Sequence, residues 1–118
     1  MKENIVQQKS FEFALSIIDL YKHLTEKKEF ILSKQILRSG TSIGANIEES
    51  IGAHSRADFL SKVTISYKEA RETHYWLKLL LAGEYMDQKK YNLYEEKMVE
   101  ILRLLTAIQK STKGTGGR

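Results

Sequence analysis

The sequence predicts an all-α fold, arranged as an antiparallel up-down-up-down four-helix bundle. Its 118 residues include no proline and few turn dipeptides, which argues against a sheet joined by tight turns. Leu, Glu, Lys and Ala, which favour helices, are abundant. Apolar residues recur at helical spacing in four successive segments of about 20 to 28 residues, joined by short connections.

Two apolar stripes define the first two helices. The first stripe consists of Val6, Phe13, Ile17, Leu20 and Leu24. Asn4 is placed to cap this helix, and residues 26–29 end it. The second stripe consists of Leu32, Ile36, Ile43, Ile47 and Ile51. Gly40 and Gly44 lie beside the second stripe, where each glycine lowers helix propensity by about 1 kcal/mol, so we expect a neighbouring helix to pack closely there.

Capping signals mark the third and fourth helices. Ser55 followed by Asp58 forms a capping box, and Gly83 ends the third helix. The third stripe consists of Phe59, Val63, Tyr67, Ala70, His74, Leu77 and Leu81. Asp87 opens the fourth helix. The fourth stripe consists of Tyr91, Tyr94, Met98, Ile101, Leu102, Leu105 and Ile108.

Length and composition indicate a single domain. We place this domain at residues 1–112 and a flexible glycine-rich tail at residues 113–118. The chain has no run of eighteen apolar residues, so we predict no membrane span. It has no cysteine and no apolar leader, which favours a cytoplasmic protein without disulfides or thiolate metal sites.

Residues 40–44 read GTSIG and therefore fit the G-x-S-x-G pattern of a hydrolase nucleophile elbow. Such an elbow needs a strand before Ser42, whereas the preceding residues continue a helical stripe. A phosphate-binding loop would need glycines at a strand-to-helix junction followed by Lys and Ser or Thr, which are missing here. We therefore predict a helix at this segment and no catalysis by Ser42.

The remaining polar residues indicate neither a metal site nor catalysis. The histidines show no H-x-x-x-H spacing, and Arg71 stands where a di-iron bundle would carry Glu before His74. We interpret His74 as a hydrogen-bonded, semi-buried residue. Glu69 and Glu72 have Lys62 and Lys68 nearby, so we interpret them as ion-paired helix surface. We predict no enzyme activity, no metal and no cofactor.

Net charge points mildly towards polyanions. The formal net charge is +4, and the excess lies in the second half of the chain, where residues 55–83 carry five basic and three acidic side chains. The candidate nucleic-acid-binding residues are Arg56, Lys62, Lys68, Arg71 and Lys78. They do not share one helix face, and no sequence-reading motif is present, so a single copy offers a diffuse field.

Two sets of residues are candidates for an oligomer interface. The apolar set lies opposite the core stripes of the first and third helices and consists of Phe11, Leu15, Ile18, Ile65, Trp76 and Leu79. The alternative for this set is a wide core face within one protomer. The polar set lies on the second helix and consists of Arg38, Ser42, Asn46 and Glu49. The alternative for this set is a solvated face.

Residues 36–80 resemble a known family. The runs SIGANIEES at 42–50, DF at 58–59 and KEARETHYWL at 68–77 carry the resemblance. They resemble the four-helix bundle family named for proteins encoded by intervening sequences in bacterial 23S rRNA genes, which is similar to the accessory protein of diversity-generating retroelements. The resemblance implies a homopentameric ring without enzyme activity that binds nucleic acid, and for the retroelement relatives a reverse transcriptase partner with its RNA.

Two functions therefore stay open. The first is an oligomeric bundle that binds structured RNA or DNA as an accessory protein. The alternative is a protein-interaction scaffold or accessory subunit, for example of a reverse transcriptase, without direct contact to nucleic acid.

Overall fold

The computed structural model describes the backbone of residues 2–116. It contains α1 (Lys2–Glu26), α2 (Leu32–Ile51), α3 (Arg56–Ala82) and α4 (Gln88–Gly116), with no strand in that range. Each helix packs against two others, and together they form a bundle of 51 × 22 × 19 Å. The predicted all-α class and number of helices are confirmed. Over the described residues, no helix has both the length and the apolar character needed to cross a bilayer.

Contacts between neighbouring helices follow opposite residue orders. Along α2 and α3, the contacting pairs are Arg38 with Glu69, Ile43 with Ser66, and Glu49 with Lys62. Along α1 and α4, they are Lys9 with Glu100, and Ser16 with Tyr94. Residue numbers therefore rise along one helix while they fall along its neighbour.

The core contains most of the predicted apolar residues. All five members of the α1 stripe are buried, as are Ile36, Ile43 and Ile47 of α2. Leu32 is half-buried, whereas Ile51 is exposed. All of the predicted α4 stripe is buried except Leu102, which is half-buried and packs against the core.

The predicted buried face of α3 is wrong, because the observed face is rotated slightly about the helix axis. Its buried residues are Val63, Ser66, Ala70, Thr73, Leu77 and Leu80. The predicted Phe59, Tyr67, His74 and Leu81 are half-buried at the edge. Ser66 and Thr73 can lie inside because their hydroxyl groups donate hydrogen bonds to Ile43 O at 2.9 Å and Ser39 Oγ at 2.8 Å. The apolar pattern could not reveal these polar core positions.

The helix ends match the capping predictions in part. Ser55 Oγ accepts a hydrogen bond from Asp58 N at 3.0 Å, and Asp87 Oδ1 accepts one from Lys90 N at 2.8 Å, so both predicted caps are confirmed. Asn4 lies inside α1, so its predicted capping position is wrong. Helix α4 continues to Gly116, beyond the predicted domain end at residue 112; the last two residues of the predicted tail, 117 and 118, lie outside the described residues.

The α1–α2 and α3–α4 connections each contain a residue with a left-handed backbone conformation. Lys28 has φ 66° and Glu84 has φ 67°, each one position after the helix cap. Glu29 N donates to Leu24 O and Tyr85 N donates to Leu80 O, both at 2.9 Å, which is the six-residue hydrogen bond of a Schellman motif. Gly83, predicted to end α3, does follow the helix but has φ −83°, so the left-handed position belongs to Glu84.

Close packing at the two α2 glycines is confirmed. A Cβ atom on Gly40 would lie 2.8 Å from Ile17 Cγ1, and one on Gly44 would lie 3.4 Å from the backbone oxygen of Ser10. Helix α1 therefore approaches α2 closely along this edge. Ser42 lies within the same helix and donates a hydrogen bond to Arg38 O at 2.7 Å, so the predicted helical conformation of GTSIG is also confirmed.

Candidate nucleic-acid interface

The five candidate nucleic-acid residues are spread along α3. Arg56 and Lys68 are exposed. Lys62 lies 2.8 Å from Glu49 of α2, and the hydrogen bond and negative charge of Glu49 raise the pKa of Lys62. Arg71 and Lys78 both line a cleft between α3 and α4. The fold therefore brings two of the five into a common site.

The α3–α4 cleft has a volume of about 790 Å³. Its charged lining consists of Arg71 and Lys78 from α3 with Arg103 and Lys110 from α4. No acidic side chain among the described residues lines it. Val99 and Leu102 supply apolar surface between the cations. The cleft combines positive charge with an apolar floor, a combination suited to phosphate groups joined to flat apolar rings.

Aromatic side chains line the α3 wall of the cleft. The Arg71 guanidinium lies 5.9 Å from the Tyr67 ring centroid and donates to the Tyr67 hydroxyl at 2.9 Å. Tyr75 is 55 % exposed, and its ring meets Trp76 edge-on with centroids 5.3 Å apart. Both tyrosine rings therefore make a contact with a neighbouring side chain of α3.

A small polar network lies beside the cleft. His74, which lines it, lies 3.1 Å from Glu95 Oε2, and the Tyr91 hydroxyl donates to the same oxygen at 2.9 Å. The hydrogen bonds from His74 and Tyr91 lower the pKa of Glu95, while burial and the Glu95 carboxylate raise the pKa of Tyr91 to about 12. The prediction that His74 is semi-buried and hydrogen-bonded is confirmed.

Acidic residues line a second groove that adjoins the cleft on α4. Glu95, Glu96 and Glu100 line a second surface groove formed by α4 residues, of about 680 Å³. Lys9 of α1 lies 3.7 Å from Glu100. Val99 and Arg103 line both this groove and the cleft, so the acidic surface adjoins the basic cleft along α4.

The candidate apolar interface residues differ in exposure. Phe11 and Leu15 of α1 are 66 % and 51 % exposed, and Ile65 of α3 is 39 % exposed. Ile18, Trp76 and Leu79 are half-buried. Trp76 packs against the core and its indole N–H donates to Glu72 at 3.0 Å, as expected of a wide core face. Within this candidate set, the two most exposed side chains therefore belong to α1.

The polar stripe of α2 makes contacts within the protomer. Arg38 forms ion pairs with Glu69 and Glu72, so the prediction that these carboxylates are ion-paired is confirmed, but their partner is Arg38 and not Lys62 or Lys68. Burial opposes the charge on Glu72, but the hydrogen bonds from Trp76 and Arg38 lower its pKa. Ser42 and Asn46 donate to backbone oxygens one turn earlier, and Glu49 pairs with Lys62. The partner of Glu69 and Glu72 comes from α2, which the spacing of residues along α3 does not reveal.

The described residues contain no group of three or more His, Asp or Glu side chains that could hold a metal ion. Glu69 and Glu72 both form ion pairs with Arg38. The Glu95 carboxylate likewise forms hydrogen bonds with His74 and Tyr91.

Sequence reasoning missed the α4 half of the cleft and both tyrosines. Arg103 and Lys110 stand seven residues apart, which places them on one face of α4 two turns apart. Tyr67, Arg71 and Tyr75 follow at intervals of four on α3. These spacings were a signal, but only the packing of α3 on α4 shows that the two rows face the same cleft.

The fold and the cleft define a small all-α bundle protein with a basic, aromatic surface. The chain belongs to the 23S rRNA-intervening sequence protein family, which it matches over residues 2–107. It is also similar to a crystal structure, at 1.70 Å resolution, of a protein of unknown function from the S23 ribosomal protein family of Bacteroides thetaiotaomicron VPI-5482. The two are 55 % identical with a TM-score of 0.92, over 93 % of this chain and 99 % of the other. No curated protein matches the chain.

Proposed function

We propose that this protein is a non-enzymatic bundle that binds RNA or DNA through the α3–α4 cleft and acts as an accessory protein. The observation that carries the proposal is the clustering of Arg71, Lys78, Arg103 and Lys110 around one cleft without an acidic lining residue among the described residues. The family to which the chain belongs supports this proposal through its name alone, which refers to 23S rRNA.

Availability of the α4 cations supports the proposal. Arg103 and Lys110 are exposed, and neither forms an ion pair within the described part of the chain. A cation without an internal partner can neutralise a phosphate without first breaking a salt bridge. The released counterions then favour association, and more so at low salt.

The test is the salt dependence of binding to a labelled 12-nucleotide single-stranded RNA. If all four cations contact phosphates, log K should fall with log salt with a slope of about −2.8. The double variant Arg103→Ala/Lys110→Ala removes two of these contacts and should reduce the slope to about −1.4. The matched control is Lys34→Ala/Lys89→Ala, which removes two exposed lysines that do not line the cleft.

An unchanged slope in the cleft variant, or an equal change in the control, would overturn the proposed site. A wild-type protein that shows no salt-dependent retention of RNA or DNA at low ionic strength would overturn nucleic-acid binding altogether.

Assembly belongs to the same proposal. We propose an antiparallel up-down-up-down protomer that self-associates as a homopentameric ring of about 68 kDa, five times 13.6 kDa. The reversed contact order along neighbouring helices supports the antiparallel arrangement. Exposed Phe11 and Leu15 support self-association, because large exposed apolar side chains often mark an interface. A ring would repeat the basic cleft five times and strengthen binding to a polyanion.

The same apolar surface favours a second candidate function. Phe11 and Leu15 line a groove together with polar Gln7, Gln8, Glu12 and Glu48, and this mixture of apolar and polar surface also fits a partner protein. In that case the chain is a scaffold or accessory subunit, for example of a reverse transcriptase. Substituting Phe11 would then abolish partner binding and leave the affinity for nucleic acid unchanged.

A further inference from the structure

We infer that the α3–α4 cleft accepts single-stranded nucleic acid, with an unpaired base stacked on Tyr75 and the flanking phosphates held by the surrounding cations. This inference rests on the proposed function and specifies the class of nucleic acid. It predicts that the protein prefers single strands to duplexes, a preference that the positive charge of the cleft alone would not produce.

The α3 wall alternates aromatic and cationic side chains. Tyr67, Arg71, Tyr75 and Lys78 lie at successive turns of the helix and all line the cleft. From Tyr67 to Lys78 the wall extends roughly 16 Å at 1.5 Å per residue. This length accommodates about five nucleotides at a spacing of 3.4 Å. Over this length the wall offers two aromatic rings and two cations, which can contact two bases and two phosphates of the strand.

Tyr75 is the ring best placed to stack with a base. It is 55 % exposed, although tyrosine is a large side chain with much apolar surface to bury. The Tyr75 and Trp76 ring centroids lie 5.3 Å apart in an edge-to-face arrangement, and the Trp76 indole N–H donates a hydrogen bond to Glu72 at 3.0 Å. A ring that is already oriented loses little conformational entropy when a base stacks on it.

Arg71 adds a second flat group. Its guanidinium already lies against the Tyr67 ring, with a hydrogen bond of 2.9 Å to the tyrosine hydroxyl. A guanidinium held in this way can stack with a base or bind a phosphate through its remaining N–H groups. Across the cleft, Arg103 and Lys110 lie two turns apart on α4 and can follow the backbone of the same strand.

A duplex cannot use the aromatic wall. The faces of its bases are covered by neighbouring bases, so only its phosphates would meet the cleft cations. A single strand can turn a base face towards Tyr75. The tyrosine should therefore contribute to single-strand binding alone, whereas Arg103 and Lys110 contribute to both.

The experiment measures fluorescence anisotropy with labelled 12-nucleotide oligo(U) and oligo(dT) and with a 12-base-pair RNA duplex, using the full chain. Tyr75→Ala should weaken single-strand binding roughly 5- to 150-fold and leave duplex binding within about twofold. Tyr75→Phe keeps the ring and should stay within about twofold of wild type for both. Tyr85→Ala is the matched control, because Tyr85 is exposed at the α3–α4 connection and does not line the cleft.

A second readout comes from Trp76, the single tryptophan of the chain. Its emission should change when oligo(U) or oligo(dT) binds beside Tyr75, and should not change with the duplex. Circular dichroism of each variant checks that the helices are retained. Comparison of oligo(U) with oligo(dT) shows whether the strand is RNA or DNA, since both present the same base face and phosphate.

Different failures separate the two proposals. If Tyr75→Ala leaves single-strand affinity unchanged, or weakens duplex and single strand equally, the stacking inference is overturned. Should Arg103→Ala/Lys110→Ala still reduce the salt slope in that case, the proposed nucleic-acid function stands without it. If none of the three probes binds to the wild type, both proposals are overturned.

Discussion

At the scale of single residues, the Glu29 carboxylate caps a helix that has no cap of its own. Ile31 occupies the N-cap position of α2 without a side-chain hydrogen bond. Glu29 accepts instead from the backbone N–H groups of Ile31, Leu32 and Ser33, at 3.2, 3.0 and 2.6 Å. Burial opposes the charge, but these hydrogen bonds outweigh it and lower the pKa of Glu29 below its ordinary 4.5. Negative charge also suits a helix N-terminus.

Removing this carboxylate should destabilise the fold in a pH-dependent way. Glu29→Ala should lower the free energy of unfolding by about 1 to 2 kcal/mol at pH 7, the range for loss of a helix cap. Because the folded-state pKa lies below 4.5, the contribution of the charge is complete above that pH and disappears as pH falls through the folded-state value. Urea unfolding from pH 7 to pH 3 should therefore show the wild type and the variant converging.

Glu26→Ala is the matched control for this prediction. Glu26 is an exposed glutamate at the end of α1, and its loss should change stability by no more than about 0.5 kcal/mol. A constant gap between Glu29→Ala and wild type from pH 7 to pH 3 would show that the charge does not stabilise α2.

At the scale of helices, the packing of α1 on α2 depends on the absence of a side chain at Gly40. A Cβ there would lie 2.8 Å from Ile17 Cγ1 and 2.9 Å from Ile17 Cγ2. Ile17 is fully buried and β-branched, so these atoms cannot rotate away from the added methyl group. Glycine at this position lowers the helix propensity of α2, but it allows α1 and α2 to approach each other more closely.

Gly40→Ala should reveal this constraint. We expect net destabilisation of up to about 2 kcal/mol, since an overpacking cost of about 1 to 3 kcal/mol exceeds the gain of roughly 1 kcal/mol in helix propensity. Thermal unfolding followed by circular dichroism measures the change. Gly114→Ala is the control, because a Cβ at Gly114 meets nothing within 4 Å.

The double variant Gly40→Ala/Ile17→Ala tests the contact itself. With the isoleucine side chain removed, the added methyl group has space, so Gly40→Ala should no longer destabilise in that background. If Gly40→Ala increased the stability of the otherwise unchanged protein, the helices would be able to move apart at little cost and the packing argument would be wrong.

At the scale of the whole molecule, the apolar surface of α1 and the basic cleft of α3 and α4 use different helices. Phe11 and Leu15 point away from the core on α1, whereas the cleft cations belong to α3 and α4. Self-association through α1 would therefore leave the cleft open to a ligand. The two proposals can be tested independently for the same reason.

Phe11→Asp should reduce the native mass measured by light scattering. Wild type should have a mass close to 68 kDa if five copies of 13.6 kDa assemble, and the aspartate should shift it towards that of a monomer, because a charge would be buried in an apolar interface. Leu93→Asp is the matched control, since Leu93 is 61 % exposed on α4. A wild-type monomer, or an equal loss of mass in both variants, would contradict assembly through α1.

The sequence by itself determined the four helices, most of their buried residues and two of their caps. Apolar residues at helical spacing, such as Ile36, Ile43 and Ile47, must lie on one side of a helix whatever packs against it. The Ser55 cap is equally local, because the hydroxyl and the amide it binds are three residues apart. The sequence predicted that a helix packs closely at Gly40, but it did not predict that the contacting side chain is Ile17.

Only the tertiary structure decided which surfaces meet. Arg71 and Lys78 became a site because α4 brings Arg103 and Lys110 to the opposite side of the same cleft. Glu69 and Glu72 pair with Arg38, more than thirty residues away, and not with the lysines nearby on their own helix. The physical reason is that helical periodicity fixes directions around one axis, whereas pairing between helices depends on their relative rotation, which is set by packing across the whole core.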